Sequence, residues 1–117
     1  MAESAPLYPA PSRELANLRH ALAPEPAAAF KAFSSAVFAE GALPVKTKQL
    51  IALAVAHVTQ CPYCIRAHAE AARQHGASPQ EMMEAIWVAA EMRAGGAYAH
   101  ALLALDAIAP VSEEPHA

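Results

Sequence analysis

Cysteine occurs only twice in this chain, glycine four times, and aromatic residues make up 6% of it. Two cysteines three positions apart cannot build a disulfide scaffold. Their scarcity is the usage of a reducing compartment, where paired thiols are reactive rather than structural, so a cytoplasmic protein is expected. Basic residues are few and scattered in a chain of net charge −3. No stripe of them could neutralise a phosphate backbone, which excludes nucleic acid as a partner. Long apolar runs are missing too. The longest, about Leu50 to Val58, falls short of the roughly 18 residues that a membrane span needs. The opening MAESAPLYPAPSRE has no basic segment followed by an apolar run, so it does not read as a secretory signal, and a soluble protein is expected.

Alanine and proline are what the chain has in quantity. Of 117 residues, 32 are alanine, the strongest helix former and a small contributor of buried area, and the pattern between the prolines shows no alternation of strand type. The expected fold is all-α: a small bundle of about six helices, with residues 12–109 as a single helical domain. Residues 1–11 and 110–117 are proline-bearing and expected to be flexible tails.

Leu15, Leu18 and Leu22 predict a first helix over about 12–22. A second should follow Pro24-Glu-Pro26 and end near Gly41, which suits a left-handed cap. The third should start near Pro44. It is apolar on nearly every face from Leu50 onward, which a helix tolerates only when covered all round. The fourth should open at the cysteines and stop at Gly76. Ser78-Pro-Gln-Glu81 is a capping-box start for the fifth, and Arg93-Ala-Gly-Gly96 should divide it from a sixth over 97–108. So much apolar surface exceeds what one small bundle can bury, and a homo-oligomer is expected.

The chemistry concentrates in CPYCIRAH, residues 61–68. Pro62 favours the first helical position, which makes Cys61 the N-cap and Cys64 the third helical residue. Unpaired N–H groups and the positive end of the helix dipole there favour an anionic sulfur. At ~100° per residue, Cys61, Cys64 and His68 fall within about 60° of one another. The imidazole can reach Cys64, where it could take the thiol proton and hold the thiolate charge. Three readings of the pair stand side by side: a redox couple, half of a metal site completed by His57, His68 or His100, and inert packing. The histidine spacing matches none of the usual zinc patterns.

The stretch LPVKTKQLIALAVAHVTQCPYCIRAHAEAARQHGASPQEMMEAIWVAAEMRAGGAYAHA resembles the core of AhpD-type alkylhydroperoxidases, within the carboxymuconolactone decarboxylase superfamily, over about half of the chain. The family pattern is a glutamate, eleven residues, CxxC, and a histidine four beyond the second cysteine. The resemblance implies an all-helical homotrimer or homohexamer that reduces hydroperoxides without metal or organic cofactor and is re-reduced by a dithiol donor that this chain does not encode. It implies that Cys64 attacks the peroxide and becomes a sulfenic acid, that Cys61 condenses with it to a disulfide, and that His68 belongs to the proton relay. The decarboxylase branch typically lacks the cysteine pair, which favours the peroxidase. One position departs: where the pattern places the relay glutamate stands Gln49, and a carboxamide cannot accept a proton at neutral pH. His57, two turns further along the same side of the third helix, could serve as the base, or could be a core histidine bonded to a backbone carbonyl. His100, with Tyr98 near it, and Glu91 are further candidates for the relay. Glu91 could also pair with Arg93 or Lys48.

Overall fold

The computed structural model describes residues 7–109. They form five α-helices: α1 Arg13–Leu22, α2 Pro24–Phe38, α3 Val45–Thr59, α4 Pro62–Gln74 and α5 Pro79–Ile108. No strand occurs among the described residues. None of these helices is long and apolar enough to cross a membrane. Residues 7–11 are exposed and non-helical. The expected tail at 110–117, and residues 1–6 of the N-terminal one, lie outside the described residues. Two compact units divide the chain, Met1–Val45 and Lys46–Ala117.

In the first unit, Ser12 Oγ accepts the N–H of Leu15 at 3.1 Å and so starts α1. Ala23 breaks the helix, and Pro24 restarts it as the first residue of α2, where a missing N–H costs nothing. The two helices pack together, with the Phe30 and Phe33 rings 6.4 Å apart on α2. α2 ends at Phe38, short of Gly41, and the expected left-handed glycine cap is not formed: Ala39 closes the helix in an extended conformation. Neither helix buries a residue.

In the second unit, α3 buries one stripe, Gln49, Leu53 and Ala56, at the i, i+4, i+7 spacing of a single helix face. Ile51, Val55 and Val58 stay exposed, so within one chain α3 is covered along a stripe and not all round. Ala72 of α4, Ala77 of the following loop and Ala89 of α5 complete the buried set. Leu53 is the one large side chain fully buried among the described residues, and the small alanines let backbones approach closely. α4 ends on Gly76 at φ 91°, with the Ala77 N–H returning to Ala72 O at 2.9 Å, and Ser78 then opens α5 with the reciprocal Glu81 bonds of a capping box.

The expected division of α5 is corrected. Residues 79–108 form one helix of 30 residues, about 45 Å long, so the described residues hold five helices and not six. Two mid-helix glycines lower stability by about 1 kcal/mol each relative to alanine, which weakens a helix without ending it. Here alanines flank the pair, and no proline follows before residue 110.

Candidate redox site

The corner between α3 and α4 is built around one residue. Gln60 takes the left-handed conformation, φ 58°, which turns the chain out of α3 and lets the Cys61 N–H reach back to Ala56 O at 3.2 Å. This is the helix stop usually made with glycine, here with a larger side chain. Cys61 then begins the next helix: its Sγ accepts the Cys64 N–H at 3.2 Å, and its carbonyl accepts the Ile65 N–H at 2.9 Å. The expected N-cap is therefore in place. Cys61 and Cys64 are joined as a disulfide, with Cα atoms 5.2 Å apart, and both are half-buried.

His68 lies one turn beyond Cys64, also half-buried. Its Nδ1 donates to Gln49 Oε1 at 2.7 Å, joining α4 to α3 across 19 positions of sequence. With the amide oxygen as acceptor, Nδ1 carries the proton and Nε2 is the nitrogen that can take another. Gln49 is 7% exposed, the one buried polar side chain among the described residues. A neutral amide at this place fixes the ring without adding charge.

Lys46, one turn before Gln49, pairs with Glu81 of the α5 capping box at 2.7 Å. The ammonium and, next, the Ser78 N–H at 2.9 Å hold the Glu81 carboxyl below its ordinary range. This pair ties the start of α3 to the start of α5, near the turn that carries Gln49. At the other end of α3, the Arg93 guanidinium donates to Val58 O at 3.5 Å. These two ties, and the direct Gln49–His68 bond, were missed by sequence reasoning, because no local pattern links residues 19 to 35 positions apart.

The other expected residues are placed as follows. His57 Nδ1 donates to Leu53 O at 2.8 Å, the bond to its own helix that a core histidine makes. His100 does the same to Gly96 O at 2.7 Å. Tyr98 is 85% exposed. Glu91 is exposed, its carboxylate turned over Gly95 on the next turn, while Arg93 is bonded to Val58 O. Among the described residues, no three His, Cys, Asp or Glu side chains converge in a metal-binding group.

Comparison with known proteins places this chain among relatives. The model of the carboxymuconolactone decarboxylase family matches residues 24–107. The chain is 68% identical over 77 residues to uncharacterized protein 4 in the cox locus of Paracoccus denitrificans, covering 66% of this chain and 69% of that one. It is 44% identical over 79 residues to an uncharacterized protein of Haemophilus influenzae, covering 68% and 70%. A crystal structure of a protein from Methanobacterium thermoautotrophicum superposes with a TM-score of 0.68 at 41% identity, over 71% of this chain and 93% of that one. A second, from Thermotoga maritima, gives 0.62 at 28% identity, over 87% and 100%.

Proposed function

Because the chain belongs to the carboxymuconolactone decarboxylase family, the superfamily of the AhpD-like proteins, we propose that it is a thiol peroxidase that reduces organic hydroperoxides through Cys61 and Cys64. The observation that carries this reading is the disulfide at the start of α4, one turn from a histidine whose ring is oriented by a buried amide. In the reduced protein, the Cys64 thiolate attacks the terminal peroxide oxygen. The O–O bond breaks, the alkoxide leaves and takes a proton as the alcohol, and Cys64 becomes a sulfenic acid. The Cys61 thiolate then attacks the Cys64 sulfur, the S–S bond forms, and hydroxide leaves as water after taking a proton. Two electrons have passed from the dithiol to the peroxide. A dithiol donor returns them by thiol–disulfide exchange.

In this reading His68 Nε2 removes the thiol proton and supplies it to the leaving oxygen, and Gln49 holds the ring in the tautomer that permits this. His57 has the lesser place, because its ring is held by its own helix. The cycle uses only the chain's own sulfurs, and a cytoplasmic setting with a small dithiol protein as donor suits it. A homotrimer or homohexamer is the proposed form. Trp87, Tyr98, Leu102 and Leu105 fall within about 60° of one another around α5, and all are exposed, which is the surface a second copy would cover.

The test is consumption of cumene hydroperoxide with dithiothreitol as donor. Cys64→Ser should abolish it, and Cys61→Ser should leave a sulfenic acid that dimedone traps. Equal rates in the wild type and Cys64→Ser would overturn the proposal. The name of the matched family supports a second reading, a decarboxylase or lactone-processing enzyme in which the cysteines are incidental. Turnover of a cyclic carboxylate by the Cys61→Ser/Cys64→Ser protein would establish that one instead.

A further inference from the structure

Val58, Met92, Arg93, Gly96, Ala97 and His100 line an open cleft of about 330 Å³ between the last turn of α3 and the middle of α5. The volume is at the small end of the range for ligand sites, roughly 300–1,000 Å³. Its walls are apolar, from Val58, Met92 and Ala97. At Gly96 nothing lies within 4 Å of where a Cβ would stand, so the missing side chain leaves the floor open.

Two basic side chains interrupt the apolar lining. The Arg93 guanidinium is drawn toward α3 by its bond to Val58 O, which uses one of its five N–H donors. His100 is fixed by its bond to Gly96 O, leaving Nε2 as its other polar atom, a donor when the ring is protonated. No carboxylate is among the lining residues. Glu91 is turned over Gly95, about 100° round the helix from Gly96. In a chain of net charge −3, this cleft is locally basic.

We propose that the cleft binds a small organic monocarboxylate. Its carboxylate pairs with Arg93, and its apolar body lies against Val58, Met92 and Ala97. Guanidinium matches carboxylate in shape and charge, and a short apolar body fits the remaining space. A second copy of the chain is the less suited occupant. Trp87, Tyr98, Leu102 and Leu105 lie about 120–180° round α5 from Gly96, so association through that face leaves the cleft open. The cleft shares its α3 terminus with the disulfide, since the Cys61 N–H closes that helix end on Ala56 O. The inference concerns binding alone and stands apart from the peroxidase reading.

Benzoate is the probe, with benzamide as its neutral counterpart, each titrated into the isotope-labelled full-length protein and followed by amide NMR shifts. Benzoate should saturate shifts at Val58, Gly96 and Ala97 and bind at least ten-fold more tightly than benzamide. Arg93→Gln should weaken benzoate at least ten-fold and leave benzamide unchanged. Gly96→Val, whose side chain occupies the floor, should weaken both, with helix content retained by circular dichroism. Equal affinity for the two probes, equal benzoate affinity in the wild type and Arg93→Gln, or shifts confined to other residues would overturn the proposal. So would absent binding together with a lower sedimentation mass in Arg93→Gln, which would assign the cleft to a neighbouring copy. Binding is read without turnover, so a protein that binds benzoate but consumes no peroxide separates this inference from the peroxidase reading.

Discussion

At the scale of single residues, Gln49 is the most informative side chain. Its amide orients the His68 ring but offers no charge to an imidazolium, so the proposed relay would have one proton carrier where the family pattern has two. Gln49→Glu should preserve the bond and add a proton acceptor, raising the peroxidase rate by at least about ten-fold, toward the 10² to 10⁴-fold that general-base catalysis supplies. His57→Ala should leave the rate within about two-fold, since its ring is held by Leu53 O. Steady-state kinetics on both variants decides the matter: an unchanged rate in Gln49→Glu and a large loss in His57→Ala would move the base to His57. Gln60 carries a different cost. A left-handed conformation is unfavourable by roughly 1–2 kcal/mol for a residue with a Cβ, and glycine avoids it. Gln60→Gly should therefore stabilise the fold by about 1 kcal/mol, less the extra freedom of glycine in the unfolded chain, as read by urea denaturation.

At the scale of elements, the ties between helix ends carry the second unit. The Lys46–Glu81 pair joins the starts of α3 and α5, and it makes the Glu81 carboxyl more acidic than in the unfolded chain. A group whose folded value is depressed contributes stability above its unfolded titration range, and loses it as pH falls through the folded value. The contribution of Glu81 should thus be present at neutral pH and disappear only under acid conditions below the ordinary carboxylate range. Comparing urea midpoints of the wild type and Glu81→Gln from pH 7 down to pH 2 checks this, because the gap between them should close on the acid side. Elements were also what the sequence disclosed best. The Ser78-Pro-Gln-Glu81 start, the Cys61 cap and the Gly76 stop are local signals, each set by bonds within about five residues, and each is found where expected. The division of α5 at Gly95-Gly96 was misread, because a glycine pair lowers helix propensity without removing an N–H as proline does. In the site, the shared face of Cys61, Cys64 and His68 was legible from spacing. The Gln49–His68 bond was not, since nothing in either helix alone announces the other.

At the scale of the whole molecule, the balance of covered and uncovered apolar surface governs what the chain does next. Among the described residues five buried ones are apolar and four of those are alanine, whereas Trp87, Tyr98 and Leu102 are 67%, 85% and 72% exposed along one side of α5. If that side joins copies, Leu102→Glu should place a charge in the interface and reduce the assembly to a smaller species, with helicity retained in the second unit. Analytical ultracentrifugation of the wild type and the variant measures it, and equal masses would remove α5 from the interface. The Cys61 corner bears on the proposed cycle. The amide of this residue is tied to α3 by a bond that involves no sulfur, while its side chain serves α4. In that cycle a donor would split the S–S bond while the backbone knot remains, so the sulfurs could separate and rejoin many times against a hinge that has already been pinned shut.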